Sequence, residues 1–293
     1  MFKRLSKYIL LSVLFVCLLV GAGPAEGAKE QITIAIMPCT DIMMTFKKFN
    51  PLVIYLNQKA GLNIKLLVPK DYEEFESALK NKEIDFAFLD PHTYVKLDSF
   101  FQKDTLINSL NKDGSTSQQG VVIVSKGSNI KNMYDLKGKT VIFGPKLSAS
   151  RWLAARLLFE EKGINIDKDL KSYSNGGCCE DIAFNVYLKA VDAGVVCDHF
   201  LEEHSQKQKE LGLNAKHLNI IGRTKAVPTR MFVVRKGVGS DIVNKVKHAL
   251  LSLDRTNPEH AKILYPAEFG GFQRTKDEKY DSLRKLKGTT YLE

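Results

Sequence analysis

A two-lobed α/β fold is predicted for this chain by three observations. Apolar runs of strand length alternate with amphipathic helical patterns through its first half. The order β-α-β-α-β-α requires crossover helices and hence parallel pairing. The length of 293 residues, roughly 265 once a leader is set aside, fits two lobes better than one.

The elements follow in order. "QITIAIMP" reads as a buried strand ending at Pro38. "TFKKFNPLVIYLNQKAG" sets Phe49, Leu52, Val53 and Leu56 on one helical face and stops at Gly61. "NIKLLVP" is a strand, "DYEEFESALKNKE" a helix capped by Asp71, and "IDFAFLD" another strand; "PHTYVKLDSFF" starts a helix with Pro91 in its first turn. "GVVIVSKGS" gives a strand, "NMYDLKG" a short helix, and "KTVIFG" a strand feeding a helix over about Ser150 to Lys162. "DLKSYS" and "AGVVCD" are strands that bracket a helix over about Glu180 to Ala190. A helix near Phe200–Leu211, the strands "KHLNIIG" and "RMFVVRKG", and helices near Ser240–Leu253 and Lys276–Leu286 complete the chain. A hinge is expected where "SQQGVVIV" and "IIGRTKAV" cross between two α/β units.

Lys3, Arg4 and Lys7 precede an apolar run from Tyr8 to about Val20, and small residues follow. This is the pattern of a secretory signal peptide over 1–27, with an uncleaved anchor as the alternative. Cys17 lacks the lead-in of a lipidated cysteine and is read as part of the leader. The formal charge of +10 falls to about +8 without the leader, and the basic residues are dispersed. With no basic block and no aromatic-interleaved stripe, nucleic-acid binding is unsupported. Four cysteines remain, Cys39, Cys178, Cys179 and Cys197, in spacings that match neither a zinc ribbon nor a haem attachment. A disulfide from Cys178 or Cys179 to Cys197, free thiols, and a metal or redox site all stay open. His199 and His204 with Glu203 could clamp a metal, though a solvated helix face explains them as well.

In open α/β sheets ligands sit beyond the carboxyl ends of strands, at helix N-termini. Those places hold Pro38-Cys39-Thr40, Asp90-Pro91-His92-Thr93-Tyr94, Ser148-Ala149-Ser150, Gly177-Cys178-Cys179 and Cys197-Asp198-His199. Hydroxyls and thiols dominate, as a cleft for a small polar ligand requires. In "GPKLSASRWLAARLLFEEKG" a serine before the first apolar turn is an ordinary N-cap. The sharper reading has Ser148, Ser150 and the free backbone N–H groups facing an anion.

The order of these motifs resembles that of the periplasmic phosphonate/phosphite/phosphate-binding proteins of ABC transporters. "NPLVIYLNQKAGLNIKLLVPKDYEEFESALKNKEIDFAFLDPHTYV" is similar to their lead segment, and "VIFGPKLSASRWLAARLLFEEKGI" to their Ser-Thr-Ser helix mouth. "YSNGGCCEDIAFNVYLKAVDAGVVCD" and "VPTRMFVVRKG" resemble their later segments. The resemblance implies the type II periplasmic binding-protein fold, closing on its ligand by hinge bending. It implies lobe one over 28–122 and 224–293 and lobe two over 123–223, with a leader before them.

Carried across, the family's ligand tyrosine is Tyr94, and its Ser-Thr-Ser donors become Ser148, Ala149 and Ser150. Its anion-binding histidine falls on Cys179, the acidic residue after "VDAGVV" on Asp198, and the aspartate that holds an ammonium tail on Arg230. Cys39 and His92 are further cleft candidates. The lost hydroxyl and imidazole remove two donors, each hydrogen bond to a charged group being worth about 1.5–3 kcal/mol. Arg230 reverses a charge and suits a second anionic group instead. The function implied is capture of a small anion in the periplasm for a membrane permease, by a monomer with no cofactor, metal or catalysis. The alternatives are a receptor for a histidine kinase or chemoreceptor, and a cysteine enzyme with Cys179 as nucleophile and Asp198 or His92 as its acid–base partner.

Overall fold

The computed structural model describes residues 31–37, 42–203 and 215–285. The expected leader, Cys39 and His204 lie outside the described residues. Among the described residues no helix is long and apolar enough to cross a membrane.

Two sheets carry the fold. The first is ordered β13-β4-β12-β3-β1-β2. It joins β1 (Gln31–Ile36), β2 (Asn63–Leu67), β3 (Phe86–Leu89) and β4 (Ile107–Leu110) to the returning strands β12 (Met231–Val234) and β13 (Gly271–Arg274). The β1–β3 pair is parallel, as the alternating pattern requires, whereas β12 runs antiparallel to β3 and β4. The second sheet, ordered β10-β6-β9-β7-β8, holds β6 (Gly120–Ser125), β7 (Thr140–Phe143), β8 (Ser172–Asn175), β9 (Ala193–Cys197) and β10 (Leu218–Arg223). There β7 pairs parallel with β8 and β9, and β6 pairs antiparallel with β9 and β10. Both sheets are thus mixed: the crossover strands pair parallel and the returning strands close each sheet antiparallel. A two-residue pair, β5 (Ser117–Gln118) with β11 (Val227–Pro228), stands where the chain passes from one sheet to the other and back.

Helices cover both faces of each sheet, which is why the central strands β1, β3, β6 and β9 read as apolar on both faces, while the edge strand β8 is exposed. On β1, Ile32, Ile34 and Ile36 enter a core with Phe49, Leu52 and Leu56 of α1 (Ile42–Ala60) and with α7 (Ser240–Leu251), while Ala35 enters the opposite core. That second core includes Phe75 and Leu79 of α2 (Tyr72–Lys80) and Tyr94 of α3 (Pro91–Leu97). The second sheet has the same arrangement, with Trp152 and Phe159 on one side and Ile182 and Val186 of α5 (Cys179–Tyr187) on the other.

The helix expected over about Ser150 to Lys162 begins differently. Ala149–Leu153 form a wide turn, with Leu153 N donating to Ser148 O five residues back at 3.1 Å, before α4 (Ala154–Glu161) takes up ordinary geometry. The expected helix near Phe200–Leu211 is seen as α6 (Asp198–Glu203), its remainder lying outside the described residues. The C-terminal helical region is a 3₁₀ turn, Asp277–Tyr280, leading into a one-turn helix, Asp281–Arg284.

Candidate functional site

A cleft of about 490 Å³ opens at the carboxyl ends of β3, β7 and β9. Residues of both sheets line it, with Asp90, His92 and Arg230 from the first and Ser148, Ser150 and Arg151 from the second. Two glycines allow the wide turn to sit so close. A Cβ on Gly120 would stand 2.4 Å from Ser150 O, and one on Gly144 would stand 2.4 Å from Arg151 Cβ.

The serines divide the two readings between them. Ser148 is the N-cap, its Oγ accepting from Arg151 N at 3.2 Å. Ser150 is fully buried, lines the cleft, and its Oγ has no hydrogen-bond partner among the described residues. A buried hydroxyl without a partner is costly, and a ligand oxygen in the cleft would satisfy it. Beside it, Arg151 is 6% exposed and donates from Nη1 to Gly177 O at 2.9 Å.

Asp90 joins the two sheets. Its Oδ1 accepts from His92 N at 2.9 Å, capping α3, and from Ala149 N at 2.8 Å, taking up one N–H of the wide turn. Burial pushes its carboxyl up to about 6, against the pull of those two N–H groups and of the Arg151 and Arg230 charges. His92 is buried at 2% exposure, and neither ring nitrogen meets a partner of good geometry among the described residues. Burial first, and the Lys96 charge second, bring its pKa down to about 4, so the imidazole is neutral at pH 7.

On the first sheet's side, Lys48 Nζ meets Glu268 Oε1 at 3.0 Å, and Arg230 Nη2 lies 3.9 Å from Glu268 Oε2. Burial opposes ionisation of Glu268, but the two cations outweigh it and bring the carboxyl down to about 2. Sequence reading missed Lys48 and Glu268. Lys48 is one of two adjacent lysines in α1, and Glu268 sits in a turn at φ +63°, with no motif around either.

Cys178, Cys179 and Cys197 all line the cleft and all are free thiols. The structure therefore shows neither of the disulfides considered above. Cys178 Sγ donates to Asp181 Oδ2 at 3.1 Å, and Cys179 Sγ accepts from Cys197 N at 3.2 Å. Hydrogen bonding with Cys197 and burial hold the Cys179 thiol well above its ordinary pKa. That direction opposes thiolate formation, which a cysteine nucleophile needs. No group of three metal-ligating side chains occurs among the described residues.

Three expected ligand residues are placed elsewhere. Tyr94 is fully buried in the core beside the cleft: its ring packs edge-on to Tyr280 at 5.2 Å, and its hydroxyl donates to Asp277, which also holds Arg284. It pins the C-terminal turn and is not among the residues lining the cleft. Ala149 is fully buried against the core of the first sheet, its N–H given to Asp90. Asp198 accepts from Gln119 N at 3.1 Å and His199 N at 3.0 Å, closing the join of β9 to α6. It too is absent from the cleft lining.

Residues 34–280 match the family model described as "ABC transporter, phosphonate, periplasmic substrate-binding protein". The chain belongs to that family. Among curated relatives, the phosphate-import protein PhnD of Mycolicibacterium smegmatis is 22% identical over 76% of this chain and 72% of its own. The phosphonates-binding periplasmic protein of Escherichia coli is 21% identical over 97% of this chain and 84% of its own. PhnD1 of Prochlorococcus marinus, solved in complex with methylphosphonate, superimposes with a TM-score of 0.74 at 19% identity, over 88% of this chain and 97% of its own. The two-lobed fold expected from the sequence is thus the fold of these binding proteins.

Proposed function

We propose that this substrate-binding protein takes the phosphonyl or phosphate head of its ligand at the wide turn, with Ser150 Oγ as the principal donor. Arg151 supplies charge, His92 a neutral ring donor, and Cys179 forms the wall where relatives carry a histidine. The observation that carries the reading is the buried, unpartnered Ser150 hydroxyl on the cleft wall. The binding step needs no bond chemistry: donors from both sheets meet the anion, and its higher affinity for the closed arrangement draws the two lobes together. The lobes divide near residues 122 and 224, with β5 and β11 as the bending strands. A leader over 1–27 directs export, and a membrane permease receives the ligand from the monomer.

Isothermal titration calorimetry with methylphosphonate and with inorganic phosphate tests this directly. Ser150→Ala is expected to weaken binding by about ten-fold or more, as a lost hydrogen bond to a charged group does. Unchanged affinity in that variant would remove Ser150 from the site.

A further inference from the structure

The cleft has a second charged pole, on the opposite sheet from Ser150. Arg230 immediately precedes β12, and its guanidinium lies over the ring of Phe88 on the neighbouring strand, with Cζ 5.1 Å from the ring centroid. Stacking on an aromatic face holds the guanidinium plane while leaving its edge N–H groups open. Among the described residues that guanidinium makes no hydrogen bond, and its contact with Glu268 is loose at 3.9 Å. Lys48 reaches the same carboxylate from α1 at 3.0 Å. Both cations thus face Glu268, with Asp90 also within reach of the Arg230 charge, and neither contact of Arg230 is a hydrogen bond. Phe49, Phe88 and Phe200 give the cleft apolar wall, and its volume of about 490 Å³ is that of a pocket for a whole organic molecule, well beyond one tetrahedral head.

We propose that the ligand is a phosphonocarboxylate: a phosphonyl group at the Ser150 turn, a short carbon linker along the apolar wall, and a carboxylate at Arg230 and Lys48. This rests on the anion-binding reading above and adds the class of the ligand's other end. The open edge of Arg230 matches a carboxylate in two parallel hydrogen bonds, replacing the loose contact with Glu268. An ammonium tail would meet Arg230 and Lys48 beside a carboxylate they already engage, and an alkyl tail would leave the guanidinium with only its loose contact to Glu268.

The test is calorimetry of the full exported chain with three ligands of similar size: ethylphosphonate, 2-aminoethylphosphonate and 3-phosphonopropionate. 3-Phosphonopropionate is expected to bind about 10- to 100-fold more tightly than ethylphosphonate, and 2-aminoethylphosphonate more weakly than either. Arg230→Gln keeps a planar group over Phe88 and should bring the ratio of the first two affinities close to one, while Arg230→Lys retains part of it. Lys48→Met should lower the same ratio independently, should the Arg230 variants fold poorly. Equal binding of ethylphosphonate and 3-phosphonopropionate by the unaltered chain overturns the proposal and leaves the phosphonyl site standing. A ratio that survives Arg230→Gln overturns it as well. Failure of all three ligands to bind overturns the anion reading and this proposal together.

Discussion

At Asp90 one carboxylate oxygen serves the starts of two helical segments, one on each side of the cleft. Its folded pKa of about 6 lies above the ordinary 3.8. Between about pH 4 and 6 the folded chain therefore holds a proton that the unfolded chain has released. Stability falls as pH rises through that window and levels above it. Asp90→Asn cannot titrate, so the difference in melting temperature should move in the variant's favour from pH 4 to 6 and then stay constant. A flat difference across the window would show that Asp90 titrates normally. The thiols give a second expectation at this scale. With its thiol held protonated, Cys179 should react with iodoacetamide at pH 7.5 far more slowly in the folded chain than in the unfolded one, as peptide mass spectrometry would record. Rapid labelling of Cys179 in the folded chain would contradict the hydrogen bonding described for it.

Among the elements, the wide turn Ala149–Leu153 depends on the strand beneath it. Gly120→Ala sets a methyl group against Ser150 O, and neither backbone can yield without moving the other. Overpacking of this kind typically costs about 1–3 kcal/mol. The variant should melt lower and bind anion less well, whereas Gly127→Ala, an exposed turn position with only the far end of the Lys189 side chain 3.9 Å away, should change stability by no more than about 0.5 kcal/mol and binding not at all. Equal behaviour of the two variants would show that the turn adapts. This turn also marks where sequence reading stopped. The periodicity of Leu153, Leu157 and Leu158 located the helix, and the serines located its mouth, because both signals are local. Which hydroxyl is spent on the cap depends on a five-residue hydrogen bond and on Asp90 from another sheet. The contacts of Tyr94 were hidden for a similar reason: its partners Asp277 and Tyr280 lie more than 180 residues away in the chain. The parallel pairing of the first crossover strands was legible from alternation alone. The pole made by Lys48, Arg230 and Glu268 was not, since three distant segments build it and only Arg230 stood in a recognisable motif.

For the whole molecule, ligand binding should appear as stability. A ligand present at 100 times its dissociation constant adds about 2.7 kcal/mol, so the melting temperature should rise with phosphonate concentration and not with an equal ionic strength of chloride. An identical response to both salts would count against a specific site. The helical segment that begins with the wide turn has its own consequence for closure. Ala149, Leu153 and Ala154 are buried with Tyr94 and Met231 in the first sheet's core, while Trp152, Ala155 and Leu158 are buried in the second's. Under the hinge motion proposed above, parting the lobes would lift two alanines and a leucine off the first sheet's core and wet them, a cost set by area and independent of any solute. If the lobes part as proposed above, this contact opposes opening whether or not a solute is bound, and Leu153→Ala, outside the cleft lining, should favour the open form.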